Sequence, residues 1–255
     1  MKRMDFGRLL SGAVALALLA PLQSEVAIAA PAKAARAKPA SARDWTGIVS
    51  MTPAGGFVMG NPKASVKFVE YGSMTCPHCK VFDDIGVPNI INGYVRTGKV
   101  SFEFRNYVRD ASDVAASQIA RCGGASKFFP LTRALYKDQA TWQAKVENTP
   151  QDQLSKIQDL PTNREFLEIA KAGGLLQWAS ARGLPVGRST QCLSDENSIK
   201  RLIQITQDTK TQFPDFRGTP TFLINGSIVE LGAVTEAEVW PAVESKIKAA
   251  LRSRG

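Results

Sequence analysis

The sequence of 255 residues is poor in two reactive kinds of side chain, because it contains one histidine, His78, and four cysteines. A single imidazole excludes a Ser-His-Asp triad elsewhere in the chain and any metal site built from several imidazoles. Four cysteines can bind zinc, but structural zinc sites usually combine two close Cys-x-x-Cys knuckles. This chain has one such knuckle, and the other two cysteines stand far apart. We therefore expect no metal site, and nothing in the sequence indicates a cofactor.

Long apolar runs are also lacking, since a helix that crosses a bilayer needs about 20 apolar residues. The apolar stretch at residues 9–22 is shorter, contains Gly12 and Pro21, and follows a basic start. Small residues around Ala29 complete the pattern of a secretory signal, and we expect cleavage near Ala29. A membrane anchor is the alternative, which the short apolar stretch disfavours. Residues 1–29 thus predict export to the periplasm.

Acidic residues are in the minority, with 23 against 32 basic residues and a net charge of +9. More than half of this surplus lies in the predicted signal and in the Ala/Pro-rich basic segment at residues 30–43. We interpret residues 30–43 as a disordered tether, because they lack the apolar side chains that a packed core needs. The remaining surplus fits an ordinary solvated surface, and the sequence predicts no nucleic-acid partner.

The tetrapeptide Cys76-Pro77-His78-Cys79 lies between a predicted strand and a predicted helix. Residues 65–71 are rich in β-branched and aromatic side chains, and apolar residues recur at roughly helical spacing after the tetrapeptide. Pro77 suits the first helical position, where the missing N–H costs nothing. Cys76 then becomes the N-cap residue, and Cys79 falls one turn inside the helix.

This placement predicts redox chemistry. Unpaired amides and the positive end of the helix dipole converge on the Cys76 sulfur, and a cationic His78 would add to the field. Such surroundings lower a cysteine pKa from about 8.5 to as little as about 3.5, and a stabilised thiolate makes the disulfide a strong oxidant. We expect Cys76 to be the exposed attacking sulfur and Cys79 the shielded sulfur that resolves a mixed disulfide. A small structural disulfide is the alternative, which the strand–helix setting disfavours.

In this setting the Cys-Pro-His-Cys tetrapeptide resembles the active site of DsbA-like thiol:disulfide oxidoreductases of the thioredoxin superfamily. The resemblance implies an α/β protein, a thioredoxin fold with an inserted all-helical domain. It also implies that Pro220, which opens an apolar strand, is cis, and that the Thr219 backbone pairs with substrate peptide. An ordinary trans proline at the start of a strand is the alternative.

Glu70 stands six positions before Cys76, in phase with Val66 and Phe68. It therefore shares a strand face with apolar residues, where burial would raise its pKa. The DsbA-like family has a buried acid at this spacing, and the resemblance implies that Glu70 exchanges a proton with Cys79. A carboxylate at a solvated strand edge is the alternative.

The rest of the chain predicts a thioredoxin fold in two pieces. Residues 44–109 supply the first piece and residues 213–255 the second, while residues 110–212 show helical periodicity and almost no strand signal. The resemblance implies that residues 110–212 form the inserted helical domain.

Two local sequence signals predict secondary structure in residues 213–255. Asn225-Gly226 predicts a tight hairpin between strands at 221–224 and 228–231. A capping box that begins at Thr235 predicts the start of the last helix.

The two remaining cysteines, Cys122 and Cys192, fall in the predicted insert. Cys122 is expected to end the first insert helix, and Cys192 to precede the last one, with Ser194 as its N-cap. We favour a structural disulfide between them, because exported thiol pairs are normally oxidised. Two buried free thiols are the alternative.

Three functions fit the sequence. The first is a monomeric donor of disulfides to reduced or unfolded exported proteins, which by resemblance a membrane DsbB-like quinone reductase would reoxidise. The second is an isomerase or reductase that a DsbD-like membrane reductase keeps reduced, for which Thr219 is a small hint. The third is a non-enzymatic peptide-binding holdase, which the intact cysteine pair disfavours.

Overall fold

The strands form from segments rich in β-branched and aromatic residues. The computed structural model describes residues 43–253, so the predicted signal and nearly all of the predicted tether lie outside the described residues. Within this range six strands form one mixed sheet in the order β1-β2-β4-β3-β5-β6, in which β3 and β4 pair in parallel and the other neighbours are antiparallel. The strands are β1 (Val49–Met51), β2 (Phe57–Gly60), β3 (Val66–Gly72), β4 (Val100–Asn106), β5 (Thr221–Ile224) and β6 (Ser227–Ile228).

The helices surround this sheet, and most of them lie between β4 and β5. A π-helical turn at Ile91–Val95 extends the first of them. The helices are α1 (Pro77–Ile90), α2 (Ala111–Cys122), α3 (Gly124–Lys137), α4 (Gln139–Glu147), α5 (Gln151–Gln158), α6 (Thr162–Ala172), α7 (Leu175–Ser180), α8 (Val186–Leu193), α9 (Glu196–Gln212) and α10 (Glu236–Arg252). The described part of residues 110–212 is thus all-helical, as the periodicity predicts.

The helices α1 and α10, which border the site, begin at the residues that local sequence signals predict. Pro77 is the first residue of α1 and Cys76 is its N-cap. Thr235 and Glu238 form a reciprocal capping box at the start of α10. The first backbone N–H groups of a helix have no partner inside the helix. Pro77 lacks such a group, and the side chains of Thr235 and Glu238 accept hydrogen bonds from those at the start of α10.

Two boundary predictions are wrong. The second hairpin strand ends at Ile228 instead of 231, because Leu231 leaves the sheet edge to pack against the core. Ser194 is the C-cap of α8, and Asp195 is the N-cap of α9 because its carboxylate accepts a hydrogen bond from the Ser198 N–H at 3.1 Å.

One face of the sheet carries an aromatic core that positions α1. The ring centroids of Phe68 and Phe222 lie 5.6 Å apart, and Phe82 of α1 lies 4.4 Å from Phe222. On the same face Phe128 of α3 stacks on Phe57 of β2 at 4.0 Å. Such pairs contribute about 0.5–1.5 kcal/mol each beyond the area they bury. The sheet and the helical insert therefore share one continuous core.

None of the helices between residues 43 and 253 combines the length and apolar content needed to cross a bilayer.

Candidate active site

Asp113 of α2 holds the loop that leads from β3 into α1. The Ser73 hydroxyl donates to its carboxylate at 2.5 Å, and the Met74 N–H donates to it at 2.8 Å. Burial raises the pKa of Asp113 to about 7, although these donors oppose the shift. The Cys76 N–H in turn donates to the Ser73 carbonyl at 3.1 Å, so the loop sets where α1 begins. Sequence reasoning missed Asp113, because an acid in the first turn of a helix has an ordinary explanation.

Cys76 carries the sulfur that the site stabilises as an anion, and its pKa is lowered from 9.0 to about 5. The hydrogen bond from the Cys79 thiol is the largest cause, followed among the favourable contacts by the Thr219 side chain and the backbone N–H groups of Cys79 and His78. Burial opposes them by penalising the charged form. The start of α1 thus stabilises the Cys76 thiolate through hydrogen bonds donated to its sulfur.

The expectation that Cys76 is exposed is wrong, because the residue is only 1% exposed. Its sulfur lies 3.2 Å from the Thr219 carbonyl oxygen, to which the protonated thiol donates. The Gln139 side-chain amide of α4 donates to the carbonyl oxygens of Met74 and Cys76 at 2.8 and 3.0 Å. The proline loop therefore lies against the sulfur, and α4 holds the backbone that carries it.

Cys79 is fully buried and differs from Cys76 in its protonation. Burial raises its pKa well above 9.0, and the hydrogen bond to Cys76 and the charge of Glu70 raise it further. The Ser73 backbone N–H opposes this shift. The reduced pair therefore holds a thiolate at Cys76 and a thiol at Cys79.

The imidazole of His78 forms its side-chain contact with the last helix. Its Nδ1 lies 2.7 Å from Oε1 of Glu236 at the start of α10, and both side chains are exposed. Among the described residues no hydrogen bond joins the imidazole to the Cys76 sulfur, and His78 acts on that sulfur through its backbone N–H. The contribution of the imidazole to the field at Cys76 stays a prediction, and the backbone N–H of His78 is the group that lowers the Cys76 pKa.

Glu70 lies on β3 beneath the cysteine pair and is 1% exposed. Neither of its carboxyl oxygens has a hydrogen-bond partner among the described residues. Burial raises its pKa well above 4.5, and the nearby charges of Asp83 and Cys76 raise it further. The interior phase predicted for Glu70 is therefore correct, and the solvated alternative is excluded.

Asp83 is a second buried acid that sequence reasoning missed. It is 4% exposed, and burial raises its pKa to about 6. Arg133 of α3 opposes the shift, with its Nε 3.4 Å from the carboxylate. One signal could have found it, since Asp83 follows Cys79 by one helical turn and so lies on the same buried face.

The segment Thr219-Pro220 lies against the cysteine pair. The peptide bond between them is cis, and the Thr219 side chain lies close enough to the Cys76 sulfur to lower the pKa of that thiol. An apolar cavity of about 250 Å³ opens beside Pro220, between α1 and α10. Its apolar lining includes Val81, Ile85, Pro220, Leu231, Val239 and Trp240.

Cys122 and Cys192 are joined in a disulfide that links the end of α2 to α8. Gln118 of α2 supports this link by donating to the Cys192 carbonyl at 3.0 Å. In residues 43–253 no cluster of three or more His, Cys, Asp or Glu side chains could hold a metal ion.

Parallel strands bridged by a helix that starts at a Cys-x-x-Cys pair, beside a cis-proline loop, define a protein of the thioredoxin-like class. A family profile described as thioredoxin matches residues 52–244, and the chain belongs to that family.

The relatives agree with this class. A Rickettsia bellii protein provisionally named a protein-disulfide oxidoreductase is 31% identical over 170 residues, which are 66% of this chain and 56% of that protein. The chain therefore spans little more than half the length of the curated relatives it matches in Rickettsia.

Two solved structures are also similar. A protein-disulfide isomerase from Novosphingobium aromaticivorans is 30% identical, with a TM-score of 0.68 over 74% of this chain and 96% of that one. Wolbachia pipientis alpha-DsbA1, at 18% identity, has a TM-score of 0.60 over 80% of this chain and 94% of that one, which shows the fold. The predicted fold class and the resemblance to DsbA-like oxidoreductases are confirmed.

Proposed function

We propose that this protein is a periplasmic thiol:disulfide oxidoreductase that donates the Cys76–Cys79 disulfide to reduced or unfolded exported proteins. One arrangement carries the proposal: Cys76 caps the start of α1, where the Cys79 thiol and the backbone N–H groups of His78 and Cys79 donate to its sulfur. These donors lower the pKa of Cys76 to about 5, while burial raises the pKa of Cys79 well above 9.0. A stabilised thiolate is a good leaving group, and its disulfide is a strong oxidant. The names of the relatives support the same class of reaction.

The exchange takes two steps. A substrate thiolate attacks the Cys76 sulfur, the Cys76–Cys79 bond breaks, and Cys79 leaves and takes a proton from Glu70. A second thiolate of the substrate then attacks the substrate sulfur that is bonded to Cys76. The mixed disulfide breaks, and Cys76 leaves as the thiolate. The substrate gains a disulfide, and the protein retains one thiolate and one thiol.

The cis-proline loop and the apolar cavity suit the substrate side of this reaction. The Thr219 backbone would pair with an extended peptide, and the cavity beside Pro220 would take its apolar side chains. Such side chains are exposed in unfolded chains and buried in folded ones. The site would thereby favour unfolded substrates.

Turnover of a donor needs an acceptor for two electrons. In the proposed pathway a membrane DsbB-like quinone reductase reoxidises Cys76 and Cys79. Export through the predicted signal at residues 1–29 would bring this protein to the side of the membrane on which such a reductase accepts electrons. We expect the exported protein to be a monomer, which its mass in solution tests.

A second candidate is an isomerase or reductase that a DsbD-like reductase keeps reduced. The similarity to the Novosphingobium protein-disulfide isomerase favours it, as does Thr219 before the proline. The reduction potential of the Cys76–Cys79 couple separates the two, because a donor lies near about −120 mV and a reductase near about −270 mV.

Two variants test the chemistry itself. Cys76→Ser is expected to abolish disulfide transfer to a reduced protein substrate, and Cys79→Ser is expected to accumulate mixed disulfides. The matched control is the double variant Cys122→Ser/Cys192→Ser, which keeps the active pair. A fully active Cys76→Ser protein would refute the mechanism. If the wild-type protein binds peptides but exchanges no thiols, the non-enzymatic holdase is the function that remains.

A further inference from the structure

Gln139 is a buried polar side chain to which the two exchange steps give no role. It is the first residue of α4 and is only 4% exposed. Its amide nitrogen donates to the Met74 carbonyl at 2.8 Å and to the Cys76 carbonyl at 3.0 Å. A side-chain amide has two N–H donors, so Gln139 uses both of them on the loop that carries the reactive sulfur.

The two hydrogen bonds fix the backbone on either side of Thr75. The Cys76 carbonyl also accepts the Lys80 N–H at 3.2 Å, which is the first backbone hydrogen bond of α1. Gln139 thus joins the first carbonyl of the helix to a carbonyl outside it. Because peptide groups are planar, holding both carbonyls limits rotation of the backbone between them and sets the direction of the Cys76 side chain.

Two neighbouring helices of the insert hold the same loop at other atoms. Asp113 of α2 accepts the Met74 N–H, and the buried Tyr136 of α3 donates its hydroxyl to the Ser73 carbonyl at 3.1 Å. Three consecutive helices therefore each contribute one buried side chain to residues 73–76. Of these three side chains, Gln139 is the one that reaches the backbone of Cys76 itself.

The start of α4, from which Gln139 projects, is itself held by the insert. Asp138 is the N-cap residue, and its carboxylate accepts the indole N–H of Trp178 at 2.8 Å and the guanidinium of Arg182 at 2.7 Å. A side chain positions a reactive group only when its own support is rigid. The anchored helix start gives Gln139 that support.

The position of Cys76 matters most while a mixed disulfide exists. At that stage the Cys76–Cys79 bond is broken, so the backbone has to keep the two sulfurs within reach of each other. A displacement of about 1 Å can lower the rate of such a step about 10²-fold. A clamp on the Cys76 carbonyl therefore acts directly on this step.

We propose that Gln139 is a positioning residue for the disulfide exchange, because its amide clamps the Met74 and Cys76 carbonyls and so keeps the Cys76 sulfur in line with the Cys79 sulfur. This inference rests on the proposed function. Gln139 acts through the backbone of Cys76, and the helical insert thereby contributes to the geometry of the redox site.

The test follows the two steps that oxidise the reduced protein. The Cys76 thiolate attacks oxidised glutathione, which releases one glutathione thiolate and leaves a mixed disulfide. Cys79 then loses its proton to solvent and attacks the Cys76 sulfur, which releases the second glutathione thiolate. Samples quenched with acid and analysed by mass spectrometry give the rates of both steps.

We expect Gln139→Met to slow the second step about tenfold or more at pH 7, since methionine has a similar length but no N–H. The first step needs only an ionised Cys76. With a pKa of about 5, this thiol stays largely ionised at pH 7 even after a rise of about one unit. The rate of the first step should therefore change by no more than about threefold.

Thiolate absorbance supplies a second readout. If the clamp aims the Cys76 sulfur at its donors, the pKa of Cys76 should rise by about one unit in Gln139→Met. The matched control is Gln143→Met, one turn later on the same helix and partly exposed, which should keep the wild-type pKa and both rates.

Two further variants sharpen the test. Gln139→Glu keeps the size of the side chain but cannot donate when ionised, so it should slow the second step like Gln139→Met and replaces that variant if it does not fold. Tyr136→Phe loses the bond to the Ser73 carbonyl but keeps the clamp on Cys76, so it should slow the second step less.

Three results would overturn the role of Gln139. The first is a second step in Gln139→Met as fast as in Gln143→Met, and the second is equal slowing of both steps, which indicates general loosening. The third is equal slowing of the second step in Tyr136→Phe and Gln139→Met. If the wild-type protein forms no mixed disulfide at all, the proposed exchange itself fails, so the two failures are distinguishable.

Discussion

Nδ1 of His78 lies 2.7 Å from Oε1 of Glu236, which joins the first turn of α1 to the first residue of α10. Both residues also line the apolar cavity beside Pro220. Both side chains are more than half exposed, so solvent screens the pair. The structure therefore assigns the stabilisation of the Cys76 thiolate mainly to buried donors.

Glu236→Gln should accordingly have small effects. An exposed ion pair contributes at most about 1 kcal/mol, so the free energy of unfolding should fall by less than that. The pKa of Cys76, followed by thiolate absorbance, should stay near 5. Glu230→Gln, an exposed change nearby, is the control. A shift of more than one unit in Glu236→Gln alone would show that the imidazole governs the thiolate.

The stability of the reduced protein should depend on pH through Cys76. Its pKa is about 5 when folded and about 9.0 when unfolded, so the folded state favours the ionised form. This contribution is fully present above about pH 9, shrinks as the pH falls, and is lost below about pH 5. Cys79 stays protonated in this window because its pKa is raised.

Thermal unfolding of both redox forms measures this effect. The oxidised protein has no thiol at these positions, so the difference in Tm between reduced and oxidised protein isolates the contribution. The difference should move in favour of the reduced form between pH 5 and 8. Reduced Cys76→Ser protein should lose this trend, and an unchanged trend would contradict the assignment.

Glu70→Gln should stabilise the protein at neutral pH. Because the folded pKa of Glu70 is raised above 4.5, folding opposes its ionisation, and stability is lost progressively as the pH rises above about 4.5. Removing the acid should raise the free energy of unfolding at pH 7 by roughly 1 kcal/mol or more and change it little at pH 4.

Denaturant unfolding at the two pH values checks this expectation. Glu103→Gln is the matched control, because Glu103 is also buried in the sheet but accepts a hydrogen bond from Arg105 at 2.7 Å. That change should destabilise the protein. A loss of stability in Glu70→Gln at pH 7 would show that Glu70 has a partner that the described residues do not supply.

Thr219→Val should make the active disulfide less oxidising. The Thr219 side chain lowers the pKa of Cys76, and valine has the same shape without the hydroxyl. The Cys76 pKa should rise and the reduction potential should become more negative, while stability should hold because the hydroxyl has no other partner in the described chain.

Thr221→Val is the control on the other side of Pro220. Its hydroxyl donates to the Gly218 carbonyl at 2.6 Å and does not contribute to the Cys76 pKa. It should leave the potential unchanged. Equal potentials for wild type and Thr219→Val would rule out the hydroxyl as a source of thiolate stabilisation.

The Cys122–Cys192 disulfide should support stability without taking part in exchange. It closes a loop with a sequence separation of 70. In the chain-entropy model such a loop contributes ~4 kcal/mol, so Cys122→Ser/Cys192→Ser should lower the unfolding free energy by about that amount. The reduction potential of Cys76–Cys79 should stay the same at temperatures where the variant is folded.

Sequence reasoning succeeded where neighbouring residues determine the structure. The N-cap position of Cys76 follows from Pro77 and the apolar spacing behind it, and the burial of Glu70 follows from the two-residue period of a strand. It failed at Ser194, where two adjacent residues could each cap a helix, and at the exposure of Cys76, which a distant loop covers.

The sequence by itself determined the Cys-x-x-Cys pair, the helix that begins at it, the strand with a buried acid and the family, because each depends on residues within a few positions of one another. Only the tertiary structure decided the partners of those groups. Asp113 meets Ser73 across 40 positions, Arg133 meets Asp83 across 50, and Glu236 meets His78 across 158. These contacts arise from the packing of the helical insert and the last helix onto the sheet. No local period encodes which distant side chains that packing brings together.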